Sequence, residues 1–193
     1  MSEENPTREK ILRACWELLE GGDTKVRMSD IAKTAGVSRQ AVYLHFPSRA
    51  DLLIATTRFI DEVEKVDDRL ARSRAATTGR ERLEAYIEAW GGYIPRIYGV
   101  GRAMMAMMDG DEEARAAWNG RMMAMRHGCE AAINALARDG DLAPGLETDD
   151  ATDSLWTLLS VRNWEHLVQE RDWSQDAYIT EIKRIARAAF IRP

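Results

Sequence analysis

The chain has 193 residues, of which 45% are hydrophobic and 31% charged, and a formal net charge of -5. That balance supplies a globular core and excludes a protein that coats nucleic acid by bulk charge. No run reaches the ~18 apolar residues of a membrane span, and the charged start MSEENPTREK does not read as a signal peptide. A soluble, cytoplasmic protein is the expectation.

Helical periodicity dominates. Asn5 and Pro6 form a cap and first-turn pair, after which Ile11, Leu12, Cys15, Leu18 and Leu19 mark one apolar face up to Gly21 and Gly22. A second helix is expected from Ser29 to Gly36, and a third from Ser38 to just before Pro47. A fourth, capped by Ser48, carries Leu52, Leu53, Phe59, Ile60 and Val63 towards Leu70. The polar stretch ARSRAATTGRER reads as a loop. Leu83, Ile87, Trp90 and Ile94 then define a helix that should stop at Pro95, with a short Met-rich helix after it. DGDEE opens a helix to about Arg138, and DGDLAPGL is a loop. The last two helices span roughly Asp149–Glu170 and Ser174–Ile191. The expected class is all-α with about nine helices. Cys15 and Cys129 each fall on an apolar helical face and read as small buried hydrophobes, not a disulfide.

One stretch, SDIAKTAGVSRQAVYLHF, has the spacing of a helix-turn-helix. Ala32 is small enough to admit a second helix, Gly36 makes the turn, and Val42 locks the angle. Arg39, Gln40, Tyr43 and Leu44 then share one arc of about 140°, a face that fits a major groove about 12 Å wide. Arg39 and Gln40 can donate in pairs to purine edges, and Leu44 can meet a thymine methyl. Ser29, Lys33, Ser38, His45 and Arg49, with the Tyr43 hydroxyl, suit phosphates, although His45 lies towards the buried side of the wheel. Charge supports this reading locally, because residues 24–50 carry +4 while the remainder carries -9. The same spacing also serves a structural hairpin in a helical interaction or carrier module without sequence-specific DNA binding.

TREKILRACWELL followed by MSDIAKTAGVSRQAVYLHFPSRADLL resembles the N-terminal domain of the tetracycline-repressor (TetR) family, over about a quarter of the chain. The resemblance implies a three-helix DNA-binding domain in residues 1–52. It assigns Arg39, Gln40, Tyr43 and Leu44 to bases and Ser29, Tyr43, His45 and Arg49 to phosphates. Arg49 departs from the lysine frequent there but keeps its charge. The resemblance also implies a helical effector-binding and dimerisation domain in residues 53–193. The protein would then be a ligand-responsive regulator, most simply a repressor that binds a near-palindromic operator as a homodimer.

In that second part, Leu155, Leu158 and Leu159 form one apolar stripe, and Ile179, Ile182, Ile185, Ala186 and Ala189 form another suited to a dimer interface. Trp90, Tyr93, Ile94, Tyr98, Met104, Met108, Trp118, Met122, Met125 and Trp156 are the candidate lining of an effector pocket, which would favour an apolar or aromatic ligand. The same stripes also suit plain core packing. No metal or cofactor is expected: DGDEE lacks the calcium-loop spacing, and His127-x-Cys129 has no second ligand pair. Gly99-Val100-Gly101 follows no strand, and the three histidines sit in no nucleophile or carboxylate constellation, so no enzyme is expected.

Overall fold

A computed structural model describes residues 6–22 and 26–193. Asn5, the expected cap of the first helix, and Lys25, one of the counted cations, lie outside the described residues. Ten α-helical segments occur among those described: α1 Pro6–Glu20, α2 Met28–Ala35, α3 Arg39–His45, α4 Arg49–Val63, α5 Val66–Ala75, α6 Gly79–Met107, α7 Glu112–Arg138, α8 Thr148–Leu158, α9 Val161–Trp164 and α10 Gln175–Phe190. Six π-helical residues, Glu165–Glu170, continue α9. The one extended pairing among the described residues is an isolated antiparallel bridge between Leu142 and Ile191. The all-α class is as expected. No helix is long and apolar enough to cross a membrane among the described residues.

The chain groups into two compact units. The first comprises residues 1–64 and 96–121, and the second residues 65–95 and 122–193. In the first unit, Ile11, Leu12, Cys15 and Leu19 of α1 are buried with Ile31 of α2, Val42 of α3, and Leu52, Leu53 and Ile60 of α4. In the second, Leu83, Ile87, Cys129, Ile133, Leu136, Leu155, Tyr178 and Ile182 are fully buried. Burial pushes the thiol of Cys15 up to about 11 and that of Cys129 to about 12, so both are inert at neutral pH.

The stretch ARSRAATTGRER, expected as a loop, is helical in α5 and α6 except at residues 76–78, and three further elements depart from the sequence expectation. The helix reaching towards Leu70 is divided, because Lys65 adopts a left-handed conformation (φ 52°) that ends α4 and begins α5. The expected Asp149–Glu170 helix breaks after Leu158. There Ser160 caps α9 through the Asn163 amide, while the Asn163 side chain donates to the carbonyls of Thr157 at 2.8 Å and Leu158 at 3.3 Å. These bonds satisfy the groups a helix end exposes.

The third departure is Pro95, which does not end its helix: α6 continues through it for 29 residues. Proline cannot donate to the carbonyl four residues back, here that of Gly91. The Gln175 side-chain amide donates to that oxygen at 2.8 Å instead, and its own carbonyl accepts from the Trp164 indole at 2.8 Å. Gln175→Leu is therefore expected to remove the side-chain donor of the Gly91 carbonyl and one acceptor of the Trp164 indole in a partly buried site. The loss should be about 1–3 kcal/mol, read as a lowered urea midpoint at unchanged m-value.

Candidate nucleic-acid interface

The reading face is built from its turn. Gly36 sits at φ 66°, ψ 33°, a left-handed conformation that L side chains resist, and its amide turns back onto the end of α2. Nothing lies within 4 Å of a Cβ placed there, so glycine is needed for its backbone and not for space. Val37 N–H then donates to the Ala32 carbonyl at 3.0 Å, closing the α2 end. Ser38 starts α3 by accepting the Ala41 amide at 3.1 Å. Val42 is wholly buried and Phe46 nearly so, with the Arg8 guanidinium 5.2 Å over the Phe46 ring. One side of α3 is thereby spent on packing.

The other side faces solvent. Arg39, Gln40, Tyr43 and Leu44 are all exposed, and Leu44 keeps 79% of its surface in water. An isolated leucine at that exposure contributes nothing to folding. Arg39 lies along Tyr43, its guanidinium donating to the phenol oxygen at 3.3 Å and sitting 5.5 Å from the ring centroid. That contact holds both side chains on the outer face before any partner arrives.

The expected phosphate residues divide. Ser29 and Lys33 are exposed along α2. Ser38 is exposed too, with its hydroxyl engaged as the α3 cap. His45 is half-buried, its ring 6.5 Å from that of Phe46. Arg49 points elsewhere. Its Nε donates to the Val26 carbonyl at 2.6 Å, one terminal nitrogen meets Asp111 at 2.5 Å and Glu113 at 3.6 Å, and the other meets the Met107 sulfur at 3.5 Å. Burial alone would raise the Asp111 carboxyl. The Ala114 amide and the Arg49 guanidinium outweigh it and hold Asp111 below the usual carboxylate range. The signal for this acidic partner was DGDEE: Asp111 caps α7 as acid at a helix start should, and its second oxygen takes the guanidinium 62 positions away in sequence.

The expected effector-pocket residues fall in both units. Tyr98, Met104, Met108 and Trp118 belong to the first, and Trp90, Tyr93, Ile94, Met122, Met125 and Trp156 to the second. Trp90 and Tyr93 meet edge to face at 5.9 Å, and the Trp90 indole donates to the Leu159 carbonyl at 2.8 Å. The Trp156 indole donates to the Met122 carbonyl at 3.1 Å. In the expected interface set, Leu155, Leu159, Ile182 and Ala186 are buried within their own unit, whereas Leu158, Ile179, Ile185 and Ala189 retain exposed surface.

Residues 11–56, which include this reading face, match the family described as "Bacterial regulatory proteins, tetR family". This segment is a TetR-type domain. Among curated proteins the chain is similar to the HTH-type transcriptional regulator BetI of Rhizobium meliloti, 42% identical over 85 residues. That match covers 42% of this chain and spans about two fifths of the relative, 41% of its length. The likeness in fold to solved transcriptional regulators extends through nearly the whole chain. A transcriptional regulator from Saccharomonospora viridis in complex with choline superposes with a TM-score of 0.73 at 21% identity, over 96% of this chain and 98% of that one. The regulator FadR from Bacillus subtilis, in complex with stearoyl-CoA, superposes with a TM-score of 0.73 at 17% identity, over 92% and 96%.

Proposed function

We propose that the protein is a homodimeric transcriptional repressor, released from a near-palindromic operator by a small effector. The observation that carries the DNA-binding part is the outward side of α3 within a TetR-type domain: an exposed leucine beside a pre-stacked arginine and tyrosine. Phosphate contacts from Ser29, Lys33, Ser38, Tyr43, His45 and Arg49 would set the register, and Arg39, Gln40, Tyr43 and Leu44 would read bases. Leu158, Ile179, Ile185 and Ala189, with surface to spare, support pairing through α8 and α10 about a two-fold axis. Selection of bound DNA from a random pool tests the reading. A near-palindromic winner whose affinity falls steeply with salt supports it. Absence of any selected sequence assigns the hairpin to scaffold.

The two solved relatives hold chemically unlike molecules, choline and stearoyl-CoA, so the effector class here rests on this chain's own interior. The buried polar residues of the second unit are Ser73 and Thr152, with no carboxylate and no basic side chain among the described ones. Two buried hydroxyls in that unit, those of Thr152 and Tyr178, have no hydrogen-bond partner. Burial also pushes the Tyr178 phenol far above its ordinary value, keeping it neutral. This supports a neutral effector with an apolar or aromatic body and a hydrogen-bonding atom, since an ion would be desolvated without a counter-charge. Tyr178→Phe removes a polar atom that costs free energy in the unliganded protein. Its expected effect is a melting temperature equal to or above that of the parent, combined with weaker release of DNA by the effector found on screening. A fall of several degrees in melting temperature would contradict it.

A further inference from the structure

The arginine at the first position of α4 is committed to carboxylates in the DNA-free protein. Arg49 follows the α4 cap Ser48, four residues beyond the end of α3, and every nitrogen of its guanidinium is engaged by the first unit's own groups. Two acids share this one cation, Asp111 at 2.5 Å and Glu113 at 3.6 Å, so the cluster has a net charge of -1. The cluster is not sealed. The Arg49 side chain is 16% exposed, Asp111 26% and Glu113 44%, and an open groove of about 460 Å³, lined by Val26, Arg27, Arg49, Met107, Gly110 and Asp111, runs beside it. A guanidinium at the edge of such a groove can exchange one oxyanion for another without repacking the core. Carboxylate and phosphate are both matched by its planar donors.

We propose that Asp111 and Glu113 are positioning residues for DNA binding: they hold Arg49 as a reserve cation, and operator binding exchanges their carboxylates for a backbone phosphate. The inference rests on the DNA-binding function proposed above and adds the regulation of one of its contacts. In the free protein the acids mask a positive charge and leave a negative one in its place. On DNA the guanidinium moves to phosphate and the acids become the opposing force. The affinity of the reading head is thereby set below what its cations alone would give.

Asp111→Asn isolates the exchange, because asparagine still accepts the Ala114 amide as a helix cap and loses only the charge. Glu113→Gln is the second variant, and Glu112→Gln is the control. Glu112 carries the same charge one residue away, is 79% exposed and pairs with Arg115 instead. Binding to the selected operator is measured across a salt series for each variant alone and combined with Arg49→Gln. The expected result for Asp111→Asn is affinity higher by about three- to tenfold at low salt, a gain that shrinks as salt rises, because the Arg49–phosphate contact is made in both proteins and the variant lacks only the carboxylate charge that opposes it. Glu113→Gln should give a smaller gain in the same direction, and Arg49→Gln should abolish both gains. Unchanged or weaker binding in Asp111→Asn overturns the proposal. So does a gain that survives Arg49→Gln or is equalled by Glu112→Gln, since that would be general repulsion from DNA. Failure of the parent protein to select any DNA overturns the proposed function and this inference together. Failure confined to the variants overturns this inference alone.

Discussion

Arg39→Ala is expected to weaken binding to the selected operator by about 1–3 kcal/mol, roughly 5- to 150-fold, with little change in unfolding temperature. The separation of the two effects follows from where the side chain is. Arg39 is exposed, and its one recorded partner is Tyr43 on the next turn of the same helix, so removing it opens no cavity. A bidentate donor to a guanine edge has no substitute on this face, because Gln40 suits adenine and Leu44 carries no polar atom. Arg39→Lys keeps the charge and discards the fork. It should retain the salt dependence and lose discrimination at one base pair. Tyr43→Ala removes both the platform under Arg39 and a hydroxyl, so its loss should overlap with that of Arg39→Ala and the double variant should fall short of the sum. Equilibrium binding to the operator and to single-base variants, with a thermal melt of each protein, distinguishes these outcomes. Unchanged operator affinity in both single variants would move the reading surface off α3.

Gly79→Ala should give a large loss of stability for one added methyl. A Cβ on Gly79 would lie 2.5 Å from the Leu136 nitrogen and 2.6–2.7 Å from the Ala135 carbonyl atoms. These are backbone atoms within α7, which cannot rotate aside as a side-chain tip can, so α6 must back away from α7 within the second unit. The same glycine donates its amide to Asp139 at 2.6 Å, a bond that a retreat would also stretch. Overpacking against backbone places the expected cost at about 3 kcal/mol or more, a fall of roughly 6–12 °C in a protein of this size. Gly92→Ala is the matched comparison. Gly92 is in the same helix, with nothing within 4 Å of its added Cβ, and there alanine should raise stability by about 0.5–1 kcal/mol through helix propensity. Similar melting temperatures in the two variants would show that α6 and α7 do not approach so closely.

What the sequence allowed to be read follows the range of the interactions. The helix-turn-helix was legible because its determinants lie within about one turn of one another: Gly36 for the bend, Ser38 for the cap, Val42 for the lock. The exposed side of α3 followed from the same arithmetic. Pro95 misled because its compensation comes from Gln175, 84 positions beyond the carbonyl that it leaves unbonded. The break after Leu158 was hidden in Asn163, a residue whose capping bonds exist only once the chain has already turned. Arg49 was recognisable as a cation beside the reading helix. Its carboxylate partners were not, because helix-start acids are common and nothing local says which distant base they meet. Periodicity could mark Leu155 and Ile182 as apolar without saying whether a neighbouring helix or a second copy would cover them.

The bond from Gln175 to the Gly91 carbonyl also orders the substitutions open to this chain over evolutionary time. A descendant that replaced Pro95 with alanine would regain a backbone amide for that carbonyl, and position 175 would then be released to drift towards whatever suits Trp164 alone. A lineage that lost Gln175 first would carry the penalty until proline was also lost. The two positions are thus an epistatic pair with a preferred direction of change. Relatives that keep proline at this point in the helix should keep a side-chain donor opposite it.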